Sequence, residues 1–461
     1  MRLLKKIGLY FIGNLASKIL SAILIPIYAF YVSSSDLGIF DYSQTLMQII
    51  VPIVYFSIWE AILKYVISAD SDSSRKEIIN TALTISLIST LLLVAVTYVL
   101  YIMHVISDCS YVFMMMLFNA FNIVLQYISR SMGENVTYVI AGIAAVVVNF
   151  IGVVILVVLL KQGAHGLFIS YTLGQAASCI IMFCRCKLFK GFAFSVKPQI
   201  VRMLLLFSLP MAANAISGWL IQGVGRVVIN SNLGDSANGL YSYASKLGNL
   251  VTVVVGVVSM ALMEELYIRM NDDDINEYFD KICNQIWIVI LGIYAFVIPL
   301  IGLYYLFTAK TEYAGTLQYV SPCILVACIS AFSTNVGGAF QIKDLTKYIF
   351  LTTLAGGLVT TVVAIAAVSW LGIWGVILAQ LLGALTLLSI RCIVAHRLMN
   401  FSLDIKRSCF MLLLICLDSF MLLKISSFWG LSAFAVLNTL VLAVMYRRQI
   451  KEIIMKRLSS V

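Results

Sequence analysis

Apolar residues follow one another in long stretches along this chain, separated by short polar joints, from Ile7 to Tyr446. A helix that crosses a bilayer needs about 20 mostly apolar residues. Twelve stretches satisfy that length, 7–32, 37–63, 78–104, 110–130, 135–160, 164–184, 203–230, 238–263, 284–308, 316–340, 348–369 and 373–395, and two shorter ones, 408–424 and 428–446, make fourteen candidates. The last two divide at Lys424-Ile-Ser-Ser-Phe-Trp-Gly430, a turn-like sequence inside a region too long for one span. The pattern predicts an all-α integral membrane protein with about 14 transmembrane helices. Pro26, Pro52, Pro210, Pro299 and Pro322 fall inside spans and are expected to kink them. Tyr28, Tyr31, Trp59 and Trp429 lie near span ends, where aromatic side chains sit at the membrane interface.

Composition narrows the class. Hydrophobic residues are 62% of the 461, and charged residues 11%, against about 25% charged in soluble domains. This excludes a soluble globular enzyme and a disordered protein, and the apolar excess runs too far for a single-span anchor. The first run is too long for a signal-peptide core and no A-x-A-like site follows, so no cleaved signal is expected. Ten cysteines are scattered, mostly in apolar runs, where thiols act as small apolar fillers. Cys184 and Cys186 form a C-x-C without the second pair that a zinc site needs, and His104, His165 and His396 have no grouping. No metal site and no cofactor are expected.

The net charge of +10 changes the picture only through its distribution. With the N-terminus in the cytoplasm, 25 of the 31 Lys and Arg residues fall in cytoplasmic segments, and only Lys161, Lys310 and Lys424 fall outside. That asymmetry follows the positive-inside rule and places both termini in the cytoplasm. The basic surplus is therefore a topology signal, not a nucleic-acid surface. The longest loops, 185–202 and 264–283 with its Asp272-Asp273-Asp274 run, are too short for a soluble domain.

The halves echo each other. Gly163-Ala-His-Gly166 with Gly174 matches Gly372-Ile-Trp-Gly375 with Gly383 at an offset of 209. Gly38-Ile-Phe-Asp-Tyr42 with Leu46 matches Gly239-Leu-Tyr-Ser-Tyr243 with Leu247 at an offset of 201. An even number of spans per copy keeps both copies in one orientation, the parallel-repeat arrangement of many transporters. The expected organisation is an N-lobe over 1–190, a C-lobe over 191–402, and a C-terminal pair of spans with a basic tail over 403–461. Six helices per lobe would surround a central cavity.

Three cations remain inside spans: Lys18, Arg226 and Lys246. An unpaired charge near the bilayer centre costs at least about 2.5–3.5 kcal/mol, so such residues face a partner or water. Each sits in a polar stripe at helical spacing: Asn14, Lys18 and Ser21; Gln222, Arg226 and Asn230; Ser242, Lys246 and Asn249. Asp41, Thr45 and Gln48 form a fourth stripe. One reading is glue, through an Asp41–Lys246 or Asp41–Arg226 pair. The other is a wet, cationic cavity for an anionic ligand, since one intramembrane acid does not balance three cations. Glu60 and Lys64 are spaced for an i,i+4 ion pair at the cytoplasmic end of the second span, either interfacial or an inner gate. Asp418 is a lone acid.

The opening Lys5-Lys6-Ile-Gly-Leu-Tyr-Phe-Ile-Gly-Asn14, Ile25-Pro26-Ile-Tyr28, Ser35-Asp36-Leu-Gly38-Ile-Phe40-Asp-Tyr42, its echo Asn238-Gly239-Leu-Tyr241-Ser-Tyr243, and Gly372-Ile-Trp-Gly375-Val carry a resemblance. The chain resembles the Wzx-type lipid-linked oligosaccharide flippases, polysaccharide biosynthesis proteins of the multidrug/oligosaccharidyl-lipid/polysaccharide (MOP) exporter superfamily. The resemblance implies two lobes around a cavity that opens to either side of the bacterial inner membrane in turn. It implies a cargo of undecaprenyl-pyrophosphate-linked oligosaccharide for surface polysaccharides such as O-antigen, moved by a monomer among membrane lipids. Lys18, Arg226 and Lys246 would meet the pyrophosphate, and Asn14, Asp41, Gln48, Gln222 and Asn249 the sugar. It leaves open a coupling ion, H⁺ or Na⁺, and an association with polysaccharide polymerase machinery. The related drug/cation antiporters rely on lobe acids, and spans 1 and 7 hold none, which disfavours that alternative. A membrane oligosaccharide polymerase or ligase would need a large outer loop with a His/Asp/Glu constellation, and every outer loop is short. An amino-acid permease fits the parallel six-plus-six echo less well.

Overall fold

The computed structural model describes residues 22–188, 193–269, 272–343, 345 and 347–446. Asn14 and Lys18 lie outside the described residues. Everything described is helix or short joint, with no strand among the described residues. In chain order the helices are α1 (Ala22–Tyr31), α2 (Ser34–Val54), α3 (Ile58–Ile67), α4 (Asp72–Ile102), α5 (Cys109–Ser131) and α6 (Asn135–Gly152), which runs on into a π-helical stretch, Val153–Leu159. There follow α7 (Gly163–Arg185), α8 (Pro198–Gln222), α9 (Val224–Ile268), α10 (Ile275–Phe307), α11 (Leu317–Val336), α12 (Gly338–Ile342), α13 (Lys347–Leu371), α14 (Ile373–Met399), α15 (Ile405–Lys424) and α16 (Phe428–Met445).

Among the described residues, 11 helical runs are long and apolar enough to cross a membrane. They coincide with eleven of the fourteen expected spans. Of the remaining three, the described part of the first is the short helix α1, the eighth lies in α9 and the thirteenth in α15. The chain is a multi-pass membrane protein.

Two spans expected to be continuous are broken. The second divides between α2 and α3, where Phe56 (φ 53°) and Ser57 (φ 48°) turn left-handed. Pro52 lies one turn earlier; it has no N–H to donate and its ring crowds the preceding turn. The Ser57 N–H donates to the Pro52 carbonyl at 2.9 Å, a looser closure than an α-turn. The seventh span divides at Gly223, so Arg226 opens α9 instead of lying near the outer end of one continuous seventh helix. A second break interrupts α9 at Gly234, whose φ of 82° and ψ of 178° lie in a region essentially closed to side-chain-bearing residues.

The chain forms two compact units, 1–242 with 364–376, and 243–363 with 377–461. In the first, α7 packs along α5 and α6, α3 packs on α4, α5 and α8, and α2 packs on α7 and α8. Hydrocarbon does not drive helices together in lipid, so close approach of small residues and interhelical hydrogen bonds carry the packing. Gly174 lies against the Ala145 carbonyl, and the Asn119 amide donates to the Tyr171 hydroxyl at 3.0 Å. In the second unit α10 is the hub for α15 and α16. Trp287 Nε1 donates to Ser408 at 3.0 Å, and Asn438 Nδ2 donates to the Ala295 carbonyl at 3.1 Å and to Asp418 at 2.9 Å. Asp418, alone in the sequence, is thus a strut between α15 and α16.

The echoed glycines do equivalent work in the two copies. Gly163 and Gly372 both hold positive φ, 53° and 56°, at helix entries. Gly174 and Gly383 each lie flush against the helix before, at Ala145 and at Gly356 with Thr360.

Candidate functional site at the crossing of α2 and α9

The second echo forms a contact. Gly38 of α2 and Gly239 of α9 meet backbone to backbone: a Cβ on Gly38 would overlap the Asp235 carbonyl, and one on Gly239 would overlap the Ser34 carbonyl. Ser34 and Asp235 are separated by the same 201 positions as Gly38 and Gly239. The two copies of the motif therefore grip each other reciprocally, each glycine receiving a carbonyl from the other copy. The Asn238 amide donates to the Gly38 carbonyl at 2.9 Å, and the Ser34 and Ser236 hydroxyls share a hydrogen bond of 2.7 Å.

One turn further along α2 from Gly38 lies Asp41, 4% exposed. Arg226 Nε donates to Asp41 Oδ2 at 2.6 Å, and its Nη1 donates to the Gln222 carbonyl at 2.8 Å. The guanidinium also lies over the Tyr241 ring, 5.5 Å from its centroid. Three constraints fix this cation. The Gly223 break turns Arg226 away from α8, Asp41 neutralises it, and Tyr241 covers it. Trp219 Nε1 donates to the Thr45 carbonyl at 2.8 Å and ties α8 to α2 just below. The Asp41–Arg226 alternative of the sequence reading is thus formed. Breaking a buried pair from one side costs about 3–5 kcal/mol, because the remaining charge is left uncompensated.

The other candidates are distributed more widely. Gln48 and Gln222 are exposed on the first unit. Lys246 and Asn249 belong to the second unit, Lys246 half-buried and Asn249 exposed. Glu60 and Lys64 do not pair with each other, contrary to the i,i+4 expectation. On the short helix α3, Glu60 turns to α5 and accepts from the Tyr127 hydroxyl at 2.9 Å. Lys64 turns to α8, its ammonium 4.2 Å from the Phe207 ring centroid. The spacing was right for a pair, but each side chain finds a better-placed partner on a neighbouring helix.

Sequence reasoning missed other polar anchors. Arg391, counted among the cytoplasmic loop cations, is 5% exposed inside the second unit. It donates to the Ser333 carbonyl at 2.7 Å and to the Thr352 and Thr353 hydroxyls at 3.2 Å each. Its position a turn inside the expected span 373–395 was the available signal. Asn238, Ser34, Ser236 and Trp219 gave no such signal, since a single polar group in an apolar run is common. No group of His, Cys, Asp or Glu among the described residues is arranged to hold a metal ion.

Helices of this length and polarity, with a buried ion pair and a reciprocal internal repeat, define a polytopic membrane protein of transporter architecture. A family model for polysaccharide biosynthesis proteins matches residues 3–263, more than half of the chain, and the protein belongs to that family. No curated protein matches the sequence. Among solved structures, the lipid II flippase MurJ in an inward closed conformation is similar at 14% identity, covering 95% of this chain and 99% of that one with a TM-score of 0.71. An inward-facing multidrug resistance MATE family transporter of the MOP superfamily is similar at 14% identity, covering 84% and 94% with a TM-score of 0.65. A MOP superfamily transporter from Pyrococcus furiosus matches at 15% identity, 86% and 96% coverage and a TM-score of 0.58. At these identities the likeness is one of fold.

Proposed function

We propose that this protein is a flippase that moves undecaprenyl-pyrophosphate-linked oligosaccharide from the cytoplasmic to the outer leaflet of the bacterial inner membrane for surface polysaccharide assembly. The observation that carries this reading is the Asp41–Arg226 pair beside the reciprocal glycine crossing. It supports the reading because a buried cation is held by one acid next to the contact between the two repeat copies.

The chemistry fits the cargo. Phosphate oxygens form strong, charge-assisted bonds with guanidinium and ammonium groups, most of all where water is scarce. A pyrophosphate competes with Asp41 for Arg226, while Lys18 and Lys246 supply the further charge a pyrophosphate needs. Polar residues of the stripes, Asn14, Gln48, Gln222 and Asn249, serve the sugar hydroxyls, and the lipid tail stays among lipid. Both termini are cytoplasmic, from the loop charges, and the α2–α9 crossing is then the outer closure. Two neutral hydrogen bonds at that crossing are worth about 0.5–1.5 kcal/mol each. Cargo that takes Arg226 from Asp41 would loosen the contacts beside this closure. The lobes over 1–190 and 191–402 would rock about it in alternating access.

The test is export. Lys18→Ala and Lys246→Ala should each lower surface glycan while the protein level holds. Normal export in both variants contradicts the assignment of these cations.

A further inference from the structure

A cavity of about 570 Å³ opens in the first unit, next to the glycine crossing and about one helical turn beyond Arg226, which does not line it. That volume lies in the range of small-ligand sites, about 300–1,000 Å³. Tyr42 and Ser43 of α2, Tyr101 at the end of α4, His104 in the following joint, and Asn230 and Asp235 on either side of the Gly234 break line it. The walls are built by two backbone features. Left-handed His104 (φ 56°) folds the α4–α5 joint back, with its N–H on the Tyr101 carbonyl at 3.0 Å. Gly234 interrupts α9, and Asn230 Nδ2 bridges the break to Asp235 Oδ1 at 2.7 Å.

The lining chemistry is selective. Among the described residues it offers a carboxylate, an amide, hydroxyls, an imidazole and two phenol rings, and no Lys or Arg. Carboxylates and amides accept and donate to hydroxyl-rich ligands, and aromatic faces cover their apolar edges. The same carboxylate repels phosphates and acidic sugars. A lipid tail would leave these polar groups unpaired.

We infer that this cavity is a subsite for a neutral or amino sugar, exclusive of acidic sugars and phosphate. The inference rests on the flippase reading for its side of the membrane, since the α4–α5 joint lies outside when the termini are cytoplasmic. There it receives the carbohydrate end of the cargo while the pyrophosphate remains with the cations. It also sets a class for the unit nearest the exit: an uncharged hexose, a 6-deoxyhexose or an N-acetylhexosamine.

The experiment uses the full-length protein in lipid nanodiscs and saturation-transfer NMR against a panel of free sugars: galactose, rhamnose, N-acetylglucosamine and glucuronate, with inorganic pyrophosphate as a separate probe. The expected result is transfer to at least one neutral member and none to glucuronate. Asp235→Ala and Tyr101→Ala should cut that signal several-fold, and so should Ser107→Trp, which adds bulk to the lining from an exposed position in the α4–α5 joint. Unchanged melting of the Ser107→Trp protein guards against loss of fold. Transfer to glucuronate alone, no transfer to any neutral sugar, or transfer that survives all three substitutions overturns the subsite. Pyrophosphate binding and the export assay are read independently, so a failure here leaves the flippase reading standing, and the reverse holds as well.

Discussion

At the residue scale, Gly38 and Gly239 are the most constrained positions, because each faces a carbonyl of the other repeat copy. An alanine has no room there, and the two backbones must part. Gly38→Ala and Gly239→Ala should each destabilise the protein and open the crossing, seen as a lower melting temperature in detergent. Gly142→Ala and Gly218→Ala are the matched controls, because a Cβ at either meets nothing within 4 Å. Those two should be neutral or gain up to about 1 kcal/mol from helix propensity. Equal effects in both pairs would remove the crossing from the account. Asp41→Ala should cost about 3–5 kcal/mol, since it strands Arg226 without its acid. The double variant Asp41→Ala with Arg226→Met should recover part of the loss, and a double-variant cycle measures the coupling. The sequence made Arg226 and Asp41 visible because charges are rare in apolar runs. It could not tell which cation Asp41 would choose, since that depends on the Gly223 break, which a one-residue glycine signal does not announce.

At the element scale, helix positions were legible because the 20-residue apolar period is set by bilayer thickness. Breaks were less so. Pro52 was read as a kink, yet the chain turns left-handed at Phe56 and Ser57, and this frees α3 to aim Glu60 and Lys64 at different helices. Arg391 was hidden for a related reason. Its place near the end of a span matched a loop cation, and only the packing of α11, α13 and α14 shows it buried. The joint after α7 allows a test of topology. Cys184 is exposed, whereas Cys186 is buried and bonded to Ser129 at 3.2 Å. Burial pushes the Cys186 thiol up, partly offset by the Ser129 hydrogen bond, so less of it is thiolate near neutral pH. In variants keeping only one of these cysteines, a membrane-impermeant maleimide should label Cys184 from the cytoplasmic side and Cys186 far more slowly. Labelling of Cys184 in intact cells would reverse the orientation.

At the scale of the whole molecule, the internal repeat links fold to function. Its glycines do equivalent local work in both copies, and at Gly38 and Gly239 the copies hold each other. The repeat was detectable from offsets of 209 and 201. The contact between copies was not, because sequence spacing does not say which faces meet. On the positive-inside reading the net charge of +10 is mostly a cytoplasmic surplus, and one of the cations left within helices, Arg226, is paired with Asp41. On the proposed reading, an anionic cargo displaces that acid. The central claim is therefore transbilayer movement of a pyrophosphate-linked glycan. Its most direct measurement is the leaflet distribution of undecaprenyl-pyrophosphate-linked oligosaccharide in cells depleted of the protein. The account predicts accumulation in the inner leaflet, relieved by the wild-type chain and not by Lys246→Ala. An unchanged distribution on depletion would contradict it.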